Sequence, residues 1–269
     1  MNDTSAAFRL LPGASDSPVL LHVPHSARAI PADVREGIVL DDAALETELD
    51  RITDACTAEI AAAAALRAAP GTPWRFVNQL SRLVVDPERF PDEREEMRAV
   101  GMGAVYTRTT HGEELRRPGT DTEPLVRRYF DPYARAMTAA VAGRLAAAGR
   151  AVIIDVHSYP ARRLPYELHG DGPRPPVCIG TDAFHTPAAL RDAACAAFAG
   201  FGGTGLDSPF AGTYVPLRYH GHDPRVRALM VEIRRDLYLG DGGQPSADGL
   251  DALSEALAEL VAAVSADRP

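Results

Sequence analysis

Two histidines close apolar runs that read as buried strands. His25 ends Val19-Leu20-Leu21-His22-Val23-Pro24-His25, and His157 lies near the end of Val152-Ile153-Ile154-Asp155-Val156-His157-Ser158. A neutral imidazole is a good zinc ligand, and open α/β sheets place ligands beyond the carboxyl ends of their strands. One such histidine could simply cap a sheet through hydrogen bonds, but two on different strands fit one ion. Zinc held by two imidazoles needs a third protein donor. Glu46, Asp50 and Asp54, in the segment after His25, offer carboxylates, although a solvated acidic face is the plainer reading for any one of them. Glu232 interrupts the apolar run Ala228-Leu229-Met230-Val231-Glu232-Ile233. A carboxylate there is costly to bury unless it is paired or faces a cleft, where its raised pKa would let it take a proton from an attacking water. His22, three residues from His25 in an extended segment, points the other way and reads as a core residue.

These groups need a scaffold. The runs at 19–23 and 152–156 predict strands buried on both faces, with Pro24 stopping the first. Leu45, Leu49, Ile52, Cys56 and Ile60 recur at three and four residues and predict one helix over 41–69, capped by Asp41 or Asp42. On a straight helix Asp54 would lie opposite that stripe, a conflict that two helices or a bent start would remove. Short strands are predicted at 74–77, 83–85 and 176–180, and helices at 122–149 with a break at Pro132, at 187–199 and at 246–263. The polar stretch 86–122 is too long for an ordinary loop. Its arginines, with Arg82 before it and Arg89 and Arg108 within it, have the forked geometry that binds carboxylates, so it reads as a lid over an acidic small molecule. Surface pairing with Glu88, Asp92, Glu93, Glu95 and Glu96 is the plainer role for most of them. His220-Gly221-His222 reads as a solvated loop.

Composition narrows the chemistry. The chain has 269 residues, 46% of them hydrophobic, enough for one α/β domain over 1–269 with no internal boundary. Its formal charge of −9 argues against nucleic acid as the main partner. All 28 basic residues are arginines, which rules out a lysine Schiff base or a P-loop lysine. Three scattered cysteines, Cys56, Cys178 and Cys195, favour structural thiols in a reducing cytoplasm. No run approaches the roughly twenty apolar residues of a membrane span. Oligomeric state is not legible.

The motifs Val23-Pro24-His25-Ser26, Thr53-Asp54-Ala55-Cys56-Thr57, Ser81-Arg82-Leu83-Val84-Val85-Asp86, Tyr106-Thr107-Arg108-Thr109, Asp155-Val156-His157-Ser158 and Val231-Glu232-Ile233 occur in this order. In that order the chain resembles the N-formylglutamate amidohydrolases, from about residue 18 to residue 240. The resemblance implies a three-layer αβα sandwich with a mixed, mostly parallel central sheet, like the zinc carboxypeptidases, and hydrolysis of N-formyl-L-glutamate to formate and glutamate. It further implies that His25, Asp54 and His157 bind zinc, that Glu232 activates water, and that Arg82, Tyr214 and Arg218 hold the substrate, with Arg82 or Arg89 the catalytic arginine that stabilises the oxyanion. Two segments depart from the family pattern. Asp86-Pro87-Glu88-Arg89 carries an acid where the family commonly has asparagine, and Tyr214-Val215-Pro216-Leu217-Arg218 is one residue longer than usual. Amide hydrolysis is thus better supported than formylglutamate specificity. The alternatives are a zinc hydrolase of another N-acyl amino acid or peptide terminus, and a metal-free carboxylate-binding protein.

Overall fold

Nine successive residues, Ala151–Tyr159, are all buried, as a strand in the middle of a two-sided sheet must be. The computed structural model describes residues 7–169, 171–240 and 242–266, so the ends of the expected 1–269 domain lie outside the described residues. In chain order the elements are β1 (Phe8–Leu11), β2 (Val19–Val23), α1 (Ala32–Arg35), α2 (Asp42–Ile52), α3 (Thr57–Arg67), β3 (Trp74–Asn78), α4 (Glu123–Leu125), α5 (Asp131–Ala148), β4 (Ala151–Tyr159), β5 (Val177–Gly180), α6 (Ala188–Ala197), β6 (Thr204–Leu206), β7 (Val226–Arg234) and α7 (Ala247–Ala266). The sheet runs β1-β3-β2-β4-β7-β5-β6. β3, β2, β4 and β7 are parallel to one another, β1 is antiparallel to β3, and β5 is antiparallel to β7. This is the mixed, mostly parallel sheet expected.

The alternation of side chains along each strand divides the core in two. Val19, Leu21, Val152, Ile154, Val156, Leu229 and Val231 face α3, α6 and α7. Leu20, Ile153, Phe76 and Ala228 face α5 through Tyr133, Met137 and Val141. Helices on both faces give three layers.

The single helix expected over 41–69 is two. α2 ends at Ile52 and α3 begins at Thr57, with Thr53 extended and Cys56 at a φ of 61°, in the left-handed region. The Asp54 carbonyl accepts from both the Thr57 amide and its hydroxyl, so local bonds replace helical ones. The strand expected at 83–85 is also absent. Leu83, Val84 and Val85 are buried, but in a turn fixed by Ser81, and they feed different clusters. Apolarity there reflects burial without a ladder. The break expected at Pro132 is instead a widened, π-helical turn over Val126–Phe130 just before it, and the chain stays helical through Asp131 and Pro132 into α5.

The stretch 86–122 is not a bare polar loop. Met97, Met102, Tyr106 and Leu115 form a satellite core with Leu45, Leu49 and Ile52 of α2. Among the described residues no helix is long and apolar enough to cross a membrane.

Ile153 is fully buried between β4 and α5. Ile153→Ala is expected to lower the unfolding free energy by about 2–5 kcal/mol, read from the urea midpoint at unchanged slope.

Candidate active site

Register brings the chemistry together. β2 pairs with β4 so that His22 stands opposite Asp155, and β4 pairs with β7 so that His157 stands opposite Glu232. His25 lies just past β2, where the Asn78 side-chain amide donates to the Pro24 carbonyl. The break between α2 and α3 delivers the acid, because the Asp54 amide donates to the His25 carbonyl at 3.0 Å. Of Glu46, Asp50 and Asp54, only Asp54 reaches this point. Arg28 pairs with Glu46 and Asp50 on the surface.

His25 Nδ1, His157 Nδ1 and Asp54 Oδ2 form a small triangle, with 3.3 Å between the nitrogens and 3.6 and 3.0 Å from them to the oxygen. Donors about 2.0–2.1 Å from a tetrahedral zinc would stand roughly 3.3 Å apart, so the donor set fits one ion. The outer faces of the rings agree with this. Asp86 Oδ1 lies 2.9 Å from His25 Nε2, which assigns the proton to Nε2 and a lone pair to Nδ1. His157 Nε2 lies 3.1 Å from Asp155 Oδ1 and 3.2 Å from Glu88 Oε2, close to both but aligned for a hydrogen bond with neither.

Carboxylates dominate the surroundings. Asp86 is fully buried and accepts from Arg82 Nη2 at 2.7 Å, from Arg82 Nε at 3.2 Å and from the Tyr106 hydroxyl at 2.5 Å. Burial alone would raise its pKa, but the charges of Arg82 and His25 hold it well below the usual carboxylate range. Asp54 is likewise lowered, because burial, which would raise it, is outweighed by the pull of the neighbouring His157 and His25. Its second oxygen, Oδ1, is 3.3 Å from Arg235 Nη2, while the same guanidinium donates to the Arg51 and Ser158 carbonyls. Arg235 thus ties α2, β4 and the acid together. Glu232 differs: burial pushes it up to about 7, against the pull of His157, and Oε2 has no hydrogen-bond partner.

Most residues expected at the site line one cavity of about 600 Å³. His25, Asp54, Arg82, Arg89, His157, Tyr214 and Glu232 are all in its wall. Arg108 is not; it is exposed and donates to the Gly112 carbonyl, because its strand-like bridge with Glu114 turns it outward. Arg218 lines a neighbouring groove instead. His22 is a core residue, bonded to Asp155 at 2.8 Å and to the Tyr133 hydroxyl at 2.6 Å. Asp86, Glu88 and Arg235 have no assigned role in the sequence reading. Asp86 and Glu88 stand in motifs already singled out, whereas Arg235 gives no signal beyond its place after β7.

The family model for N-formylglutamate amidohydrolase matches residues 17–239. A search of curated proteins found no match. Among solved structures, an N-formylglutamate amidohydrolase from Ralstonia eutropha JMP134 superposes with a TM-score of 0.77 at 21% identity, covering 97% of each chain. A gene product from Agrobacterium tumefaciens superposes with a TM-score of 0.72 at 20% identity, covering 98% of this chain and 97% of that one. At these identities the likeness shows the fold.

Arg82 is the cation that most closely balances buried Asp86. Arg82→Met is expected to cost about 3–5 kcal/mol in urea unfolding by removing the nearest cation from that buried charge, with Arg82→Lys recovering only part of it.

Proposed function

The chain belongs to the N-formylglutamate amidohydrolase family, and from that premise we propose that it hydrolyses the amide of an N-acyl amino acid with the help of a divalent metal, zinc above others. N-formyl-L-glutamate, giving formate and L-glutamate, is the first substrate to test. The observation that carries this reading is the triangle of His25 Nδ1, His157 Nδ1 and Asp54 Oδ2 at 3.0–3.6 Å, since a shared cation or proton makes two facing imidazole nitrogens beside a carboxylate favourable.

His25, Asp54 and His157 would hold the ion. When bound, it would polarise the amide carbonyl and make an attacking water more acidic. The protein's own groups do the rest. Glu232, buried beside His157 and poised near neutrality, takes the proton of the attacking water and returns it to the departing amine. Asp86 keeps the proton of His25 on Nε2, and Arg82, tied to Asp86 and Tyr106, keeps Asp86 in place. Arg89 is less committed. It lies 3.5 Å from Asp86 and 3.6 Å from Glu95, and its Nε makes no hydrogen bond, so it is the arginine best able to receive a substrate carboxylate or the charge developing on the carbonyl oxygen. Tyr214, whose amide donates to Asp155, lines the same cavity.

Glu232→Gln is expected to keep its metal by elemental analysis and to lose about 10²–10⁴-fold in kcat for formate release. An active Glu232→Gln protein would exclude Glu232 as the base. His157→Ala is expected to purify without stoichiometric metal and to release no formate. Chelation should abolish the activity of the unmodified protein, and zinc should restore it.

A further inference from the structure

A second groove, of about 720 Å³, adjoins the candidate active site and shares Glu88, Arg89, Phe90, Gly212, Thr213 and Tyr214 with it. Beyond that common wall its lining is mostly apolar, with Phe130, Ala134, Ala139, Val215, Pro216 and Leu217 prominent, and carries Arg135, Asp182, Arg218 and His220 as its charged or titratable groups. Pro87-Glu88 and Val215-Pro216-Leu217, the two places where the sequence departs from the family pattern, both face this groove.

The common wall also gathers buried polar atoms with no hydrogen-bond partner. Glu88 Oε1, Arg89 Nε and Thr213 Oγ1 are three of them. A polar group of a ligand that reached Arg89 Nε or Thr213 Oγ1 would satisfy it, while Glu88 Oε1 lies 3.5 Å from His22 Nδ1. The Arg89 side chain is 24% exposed, enough for its guanidinium to reach a ligand lying between the two cavities.

We infer that the groove receives a bulky apolar side chain of the amino-acid half of the substrate. The inference rests on the amide-hydrolase reading and concerns its substrate class. An N-acyl amino acid carries three groups on its α-carbon. The amide must reach the His25, Asp54 and His157 cluster, and the α-carboxylate pairs with Arg89, which lines both cavities. The third group is then directed into the groove, whose apolar wall stabilises a hydrocarbon side chain by roughly 25 cal/mol for each Å² it buries. Arg135 and Arg218, also in its lining, are the groups that would favour an acidic side chain instead.

The test compares kcat/KM of the metal-loaded enzyme for N-formylglycine, N-formyl-L-leucine and N-formyl-L-glutamate, in the unmodified protein and in Ala139→Trp. Ala139 lies exposed on α5, so the larger side chain fills the groove without entering the core. The leucine compound is expected to exceed the glycine compound at least tenfold, and Ala139→Trp to shrink that ratio at least tenfold. Equal rates for the two compounds, or a ratio indifferent to Ala139→Trp, would overturn the inference. So would a strong preference for the glutamate compound that Ala139→Trp removes, because the groove would then serve an acid. Calorimetric binding of the same compounds to Glu232→Gln, with and without Ala139→Trp, decides the groove independently of turnover. If N-formyl-L-leucine binds more tightly than N-formylglycine and loses that advantage in the Ala139→Trp protein, the groove holds even where no formate appears and hydrolysis itself fails. Equal binding of the two overturns it.

Discussion

The structure depends on accommodating many buried charges at one end of a sheet. Asp54, Asp86, Asp155 and Glu232 are buried at the carboxyl ends of β2, β4 and β7 or in the segments packed on them, beside His22, His25 and His157. A lone buried carboxylate would be neutralised or expelled. Here each is matched: Asp86 by Arg82, Tyr106 and His25, Asp155 by His22 and the Tyr214 amide, and Asp54 by Arg235 and both facing imidazoles. Glu232 is the exception, with one oxygen unbonded and its pKa raised. Of these four acids it is the one left with an unbonded oxygen, and Glu88 Oε1 beside them is another.

Much of this was legible in the sequence because strands give strong local signals. A β-branched run ending in a histidine states both burial and position, and His25 and His157 do converge. Glu232 was visible as a charge in an apolar strand. Asp54 was obscured by periodicity. The apolar positions of α2 and α3 continue in phase across the break, so nothing in their spacing reveals that residues 53–56 leave the helix. The decisive contact, from the Asp54 amide to the His25 carbonyl, is long-range and has no pattern of its own.

The arginines were the least legible. Guanidinium groups look alike in sequence, yet they do different work. Arg116 is buried and spends its donors on the Tyr106 and Leu83 carbonyls, Arg108 faces solvent, and Arg235, which carried no motif, braces a proposed ligand. Only the paths of the loops decide among these. The stretch 86–122 shows why: its charges conceal Met97, Met102, Tyr106 and Leu115, which anchor it on α2.

That anchoring carries through Arg235. Its guanidinium grips the Arg51 carbonyl at the last turn of α2, the Ser158 carbonyl near the end of β4 and the carboxylate of Asp54. One flat, permanently charged group therefore works as a rivet through three layers of chain. A disturbance of the long loop that tilts α2 would be transmitted to the acid without touching either histidine, so the placing of the Asp54 carboxylate is set partly by the satellite core beneath that loop.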